Sequence, residues 1–245
     1  MDAPSDFKDF HNIFTSLIYK YDVATVFDDF LDYIMIGFTV DNSMEWDKRY
    51  SDKENEIFYK LTREWTNIMN KKVVNDNDWF DALGTYYEAE IVSKLGRKGS
   101  GQFFTPHNVC TLMAEMNLGI KGKGPGLSIN DPTCGSGRCL LAAHVLAPGN
   151  YMFAEDLDLT CVKMTICNFL IHGVVGEVVW HNSLVPTDFF GAWRTNEFLN
   201  TLGIPHVQKI NKEQCFIYQS AKALESPKNP IKKGPITLDS FGVAK

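Results

Sequence analysis

Leu127-Ser128-Ile129-Asn130-Asp131-Pro132-Thr133-Cys134-Gly135-Ser136-Gly137, running into Arg138–Leu146, is the stretch that decides the fold. Residues 127–130 read as a short strand. Asp131 to Gly137 form a Gly-rich turn, and the apolar spacing of Cys139, Leu140, Leu141, Val145 and Leu146 predicts a helix after it. The same alternation repeats downstream. Residues 151–154 predict a second strand, closed by Glu155-Asp156-Leu157-Asp158, and residues 160–171 a helix. Residues 177–180 predict a third strand, closed by His181-Asn182-Ser183-Leu184. Strand, helix, strand, helix, strand predicts an α/β fold, with this stretch as one parallel half of a doubly wound sheet.

In an open parallel sheet, ligands bind beyond the carboxyl ends of the strands. The first strand ends on Asp131 and a turn whose Gly135 and Gly137 let a backbone approach a ligand closely. A dinucleotide fingerprint starting at Gly135 needs Gly at 140, where Leu140 stands, and no G-x-x-x-x-G-K-[ST] string occurs. A carboxylate at Asp131 accepts from an ammonium group. An acid at the end of the second strand suits a ribose diol, with Asp156 the first choice and Glu155 the fallback. Asn182, past the third strand, pairs with a purine edge or serves as an ordinary turn residue. Asp158 reads as a cap of the next helix. An ammonium, a diol and a purine edge in one site describe S-adenosylmethionine.

Outward from this centre the texture changes. Residues 1–95 carry apolar residues at helical steps: Phe10, Phe14, Leu17 and Ile18, then Val26, Phe27, Phe30, Leu31 and Ile34, then Ile57, Phe58, Leu61, Trp65 and Ile68, then Phe80, Leu83, Tyr87 and Ile91. This predicts a helical N-terminal region of about four helices. A small basic loop at residues 97–101 separates it from a cofactor-binding domain over residues 96–220. That domain also takes in a helix near 107–118. No continuous β-branched run follows Leu184, so no strand is expected over residues 185–194. The next expected strand is at 215–218. Residues 221–245 read as a basic, Lys- and Pro-rich flexible tail.

Charge follows the same division. Residues 1–95 hold 10 Lys+Arg and 19 Asp+Glu, a net of −9; residues 96–190 hold 6 and 7, a net of −1; residues 191–245 hold 8 and 4, a net of +4. An acidic chain gains no non-specific affinity for nucleic acid, so any contact with DNA has to be local or come from another subunit. The acidic first segment is a candidate docking surface for a protein. No apolar run approaches the roughly 20 residues a membrane span needs, and the acidic Met1 to Asp6 do not form a secretory leader. Six cysteines without a C-x-x-C pair argue against a disulfide scaffold or a metal site, so free thiols in a reducing cytoplasm are expected.

Two motifs taken together carry a resemblance. Gly101-Gln102-Phe103-Phe104-Thr105-Pro106, followed by Asp131-Pro132-Thr133-Cys134-Gly135-Ser136-Gly137, resembles the N6-adenine DNA methyltransferases, most of all the methylation subunit of type I restriction–modification systems. Asp81-Ala82-Leu83-Gly84-Thr85-Tyr86-Tyr87-Glu88 is similar to a segment that this family carries just upstream. The resemblance covers residues 78–184. It implies an S-adenosylmethionine-dependent, Rossmann-like sheet. It places Phe104, Thr105 and Pro106 at the methionine end of the cofactor, although paired phenylalanines are more often core residues. It places Asp131, Cys134, Gly135 and Gly137 in the central cradle, Asp156 at the ribose and Asn182 near the adenine. It also implies DNA as substrate, reached through a partner specificity subunit, and no metal.

The chain departs from the family at one motif. These enzymes hold the target adenine's amino group with [DNS]-P-P-[FYW] at the end of a fourth strand, and its aromatic ring stacks on the flipped base. No Pro-Pro dipeptide occurs in the 245 residues. The sheet is therefore expected to be incomplete on the substrate side, and no catalytic residue is assigned. Two functions remain: an adenine-N6 DNA methyltransferase, or a catalytically degenerate relative that binds the cofactor as an accessory or regulatory protein.

Overall fold

Burial of an apolar stripe on the outer helices and of both faces of two central strands builds the architecture. The computed structural model describes residues 5–40, 46, 49–92, 103–119, 122, 124–185 and 187–225. The basic loop at 97–101 and residues 226–245 of the expected tail lie outside the described residues. Three long helices open the chain: α1 (Lys8–Ile18), α2 (Val23–Gly37) and α3 (Asp52–Lys72). Their starts follow local chemistry. Asp22 caps α2 by accepting from the Thr25 N–H, and Ser51 with Glu54 forms a capping box on α3. A short helix α4 (Ala82–Tyr86) continues as a π-helical stretch, Tyr87–Val92, and α5 spans His107–Leu118.

The α/β part follows as β1 (Ser128–Asp131), α6 (Arg138–Leu146), β2 (Tyr151–Asp156), α7 (Leu159–His172) and β3 (Gly176–His181). β4 (Phe189–Thr195), a single-turn α8 (Leu199–Leu202), β5 (Val207–Ile210) and α9 (Phe216–Glu225) complete the described chain. The sheet is mixed, in the order β1-β2-β3-β4-β5. β1, β2 and β3 run parallel, in the register Asp131↔Ala154 and Ala154↔Val178. β4 is antiparallel to β3 and β5 antiparallel to β4. Among the described residues β1 pairs only with β2, leaving an outer edge on which Ser128 and Asn130 are exposed.

Two expectations are corrected. A strand does form within residues 185–194. β4 lies antiparallel along β3, with Val178 opposite Trp193 and Val179 opposite Ala192. Pairing and cross-strand contacts make it a strand without the continuous β-branched run that a buried parallel strand shows. Residues 215–218 are not a strand but the entry to α9. The buried Glu177 carboxylate accepts from the N–H groups of Phe216 at 2.8 Å and Ile217 at 3.4 Å. It thereby satisfies donors that a helix start leaves open.

The helices and the sheet share a large hydrophobic cluster, and Val179, Ala192, Ile210 and Cys215 form a second, smaller one. Tyr86 is enclosed by Phe10, Phe14 and Phe27, with ring centroids 4.8, 5.5 and 6.4 Å away. The same cluster runs through Leu83, Leu141 and Met152 to Val178. Lys163 of α7, only 8% exposed, bonds Asp28 at 2.7 Å and Asp32 at 2.8 Å, both on α2.

Candidate functional site

The turn after β1 is shaped by its own backbone and pinned from α7. Gly135 has φ 55°, in the left-handed region, and a Cβ there would lie 2.8 Å from Cδ1 of Phe104. The position therefore needs glycine for both conformation and space. The Thr165 hydroxyl donates to the Gly135 carbonyl at 2.9 Å. Gly137 is the N-cap of α6 and packs against Thr165.

A cavity of about 200 Å³ opens above this turn, lined in part by Phe104, Thr105, Asp131, Cys134, Gly135 and Asp156. Six of the nine sequence-derived residues are thus brought together. Pro106 is the N-cap of α5 and Gly137 that of α6, each next to a lining residue in the chain. Asn182 is not brought in. Its Oδ1 accepts from the Leu184 N–H at 3.1 Å, closing a turn after β3. Glu155 points to the other face, where its carboxylate meets the Asn130 amide at 2.7 Å and the buried His181 ring at 2.6 Å. Asp158 caps α7, accepting from Thr160 N at 2.8 Å.

Two carboxylates dominate the cavity. Asp156 accepts from the Gly135 N–H at 2.9 Å through Oδ2 and from the Asp158 N–H at 2.8 Å through Oδ1. Asp131 Oδ1 accepts from the Thr133 N–H at 3.1 Å. Each oxygen has a second acceptor direction to offer a ligand. Burial pushes both carboxyls above their ordinary value, outweighing the backbone hydrogen bonds that pull them down. Burial also pushes the Cys134 thiol far up, so it serves as packing and not as a nucleophile. These acceptors suit a ligand carrying a positive charge and hydroxyl groups. The volume lies below the roughly 300–1,000 Å³ of a drug-sized pocket. Phe103, at the rim, is 86% exposed.

The spacing of the motifs did not reveal what holds the two walls of this cavity together. Asp81, at the N-cap of α4, accepts from the Gly84 N–H at 2.7 Å, the Ser136 hydroxyl at 2.6 Å, Arg138 Nε at 2.7 Å and the Asn168 amide at 2.8 Å. Arg138 Nη2 reaches Glu88 at 2.9 Å, and the other Glu88 oxygen accepts from the Phe104 N–H at 2.6 Å. The Arg138 guanidinium carbon lies 5.2 Å from the Phe104 ring centroid, a cation–π contact. Burial alone would lower the Arg138 guanidinium; Asp81 and Glu88 outweigh it and leave it raised. The acids of Asp81-Ala82-Leu83-Gly84-Thr85-Tyr86-Tyr87-Glu88 thus bind the Arg138 side chain and the Phe104 backbone to one carboxylate network. The signal was present in that segment, whose acids sit seven apart, but their common partner lies 50 or more residues away.

Residues 78–196 match the family model described as N-6 DNA Methylase. This part of the chain, just under half of its length, is similar to that family. The match begins four residues before α4 and ends one residue after β4, so it takes in Asp81, both cavity carboxylates and the three parallel strands. A solved structure of the type I restriction-modification system methyltransferase subunit from Streptococcus thermophilus is also similar, at 22% identity and a TM-score of 0.34. The similarity covers 67% of this chain and 37% of that one. The chain therefore spans a little over a third of the length of the subunit it resembles.

Proposed function

We propose that this chain binds S-adenosylmethionine and is the cofactor half of an adenine-N6 DNA methyltransferase of the type I modification-subunit kind. One observation carries the reading: Asp131 and Asp156, at the ends of adjacent parallel strands, converge on a single cavity beside a left-handed glycine. The cofactor supplies an electrophilic methyl group on a sulfonium. Asp131 is suited to its ammonium group and Asp156 to its ribose hydroxyls. Phe104, Thr105 and Pro106 border the methionine end. Cys134, Gly135 and Gly137 shape the backbone cradle. The sheet then corresponds to the Rossmann-like arrangement, with residues 1–95 as a helical layer, 96–220 as the methyltransferase-like part and 221–245 as a basic tail whose first five residues still belong to α9.

DNA is the substrate in this reading and reaches the site through a specificity subunit, because the net charge of −6 offers the phosphate backbone little. The acidic helical region is the surface proposed for a protein partner. No helix among the described residues is long and apolar enough to cross a membrane. The six cysteines are all free, which suits the cytoplasm. A second reading is that the chain binds the cofactor without transferring its methyl group. It is favoured by the missing Pro-Pro dipeptide and by β4, which pairs with β3 although a fourth doubly wound strand lies beside the first.

Calorimetry with S-adenosylmethionine tests the shared part. Micromolar binding supports it, and no heat at millimolar ligand overturns it. Transfer of labelled methyl to mixed-sequence DNA, with a specificity subunit present, separates the readings. Incorporation supports the first, and binding without incorporation supports the second.

A further inference from the structure

Two of the free cysteines face each other across the junction of the cavity's walls. Cys110 lies in the first turns of α5, four residues after Pro106, and Cys139 is the second residue of α6. Their sulfurs are 3.5 Å apart. The Cys110 thiol also donates to the Thr105 carbonyl at 3.5 Å, so a short chain of contacts joins Cys139, Cys110 and the loop that carries Phe104. All six cysteines lie among the described residues, and five are buried. Cys139 is the one that is partly exposed, and it lines both the 200 Å³ cavity and a neighbouring groove of about 570 Å³ along β1.

We propose that Cys139 and Cys110 form a peroxide-oxidisable dithiol pair that closes a disulfide between α6 and α5. Cys139 is the attacking sulfur, reached from the cavity, and Cys110 is the buried resolving sulfur. In the first step the Cys139 thiolate attacks one oxygen of hydrogen peroxide. The O–O bond breaks, a sulfenic acid forms, and the departing hydroxide takes up a proton to leave as water. In the second step the Cys110 sulfur attacks the sulfenic sulfur. Its own proton leaves with the hydroxyl group as a second water, and the disulfide remains. Peroxide is reduced by two electrons and the two thiols are oxidised by two.

The environments of the two sulfurs divide these roles. The contact with the Cys110 sulfur holds Cys139 below the ordinary cysteine value; the same contact, then burial, pushes Cys110 up. Burial pushes Cys134, Cys161, Cys167 and Cys215 up as well, so Cys139 is the only one of the six drawn toward the thiolate. Closing from 3.5 Å to the ~2.0 Å of a disulfide is a short approach of the two sulfurs. The bond fixes the helix behind Thr105 to the helix behind Gly137. The pair needs no bound ligand and stands independently of the proposed methyl transfer.

The test treats the full chain with hydrogen peroxide, followed by thiol counting and peptide mapping without reductant. The expected result is the loss of two of the six thiols, a peptide linked through Cys110 and Cys139, and its disappearance on adding dithiothreitol. Cys110→Ser should stop at a Cys139 sulfenic acid, trapped by a cyclic 1,3-dione, with no linked peptide. The proposal is overturned if peroxide leaves the two peptides unlinked, if they form only in unfolded protein, or if Cys139 labels no faster than Cys161 or Cys167. Circular dichroism of the Cys110→Ser protein shows whether it is folded. If it is not, the wild-type linked peptide alone decides.

Discussion

The Phe104 ring packs on Gly135, so that one of the two hydrogens on that Cα occupies space a methyl group cannot. One residue comes from the loop before α5 and the other from the turn after β1, and together they close the floor of the cavity. Gly135→Ala would place Cβ 2.8 Å from Cδ1 and also force φ 55° on an alanine. The conformation alone costs about 1–2 kcal/mol. The expected outcome is a loss of about that size in urea denaturation and a loss of S-adenosylmethionine binding by calorimetry. Unchanged binding would show that Phe104 moves freely and that the floor is not built as described.

Asp81 gathers four donors while 2% exposed. Asp81→Ala leaves the Arg138 guanidinium without its closest partner and the Ser136 and Asn168 donors without theirs. Breaking a buried pair this way costs about 3–5 kcal/mol. Asp81→Asn keeps the shape and should recover part of the loss. Chemical denaturation of both variants checks the order: wild type, then Asn, then Ala.

The cavity acids give opposite signs for stability and for binding. Burial raises Asp131 and Asp156 above the ordinary 3.8. The folded chain then binds their protons more tightly than the unfolded chain does. Stability from these two groups is therefore greatest below about 3.8 and falls as pH rises through their folded values. A cationic ligand favours the ionised pair, so its affinity should increase over the same window and level off above it. Asp131→Asn should keep or raise the melting temperature at pH 7 while weakening S-adenosylmethionine by about tenfold or more, the worth of one charged hydrogen bond. Thermal melts and titrations at pH 5 and pH 7.5 measure both signs.

Lys163 offers a test far from the cavity. It holds Asp28 and Asp32 together, and burial with a like charge beside it raises Asp32 while Lys163 lowers it. Lys163→Ala leaves two adjacent carboxylates against α7. A cost of about 2–4 kcal/mol is expected, discounted from the fully buried case because both acids keep contact with solvent. Raising the salt concentration should narrow the gap between variant and wild type.

The elements with strong local signals were legible in the sequence. Arg138–Leu146 begins after a glycine and ends before Pro148, and the helix forms over those residues. β1, β2 and β3 formed where apolar runs stop at turn residues. β4 was missed because its strand character comes from lying along β3, a property of two segments and not of one. α9 was misread because Cys215 to Tyr218 carry β-forming side chains, while a carboxylate 39 residues earlier caps them as a helix. In the site, Asp131 and Asp156 were readable from their positions at strand ends. Arg138 was not, since its partners Asp81 and Glu88 lie 57 and 50 residues away. Asn182 shows the limit of reading by position: its Oδ1 turns back onto its own loop.

The family match starts at residue 78, but the apolar interior does not stop there. Tyr86 and Tyr87 stand just inside that border and are walled in by phenylalanines from α1 and α2. A truncated version beginning at the border would bare those rings to water and strip Lys163 of both counter-charges. Anyone trimming this protein to a minimal ligand-binding unit should keep the first three helices, because they are the back wall of the same room.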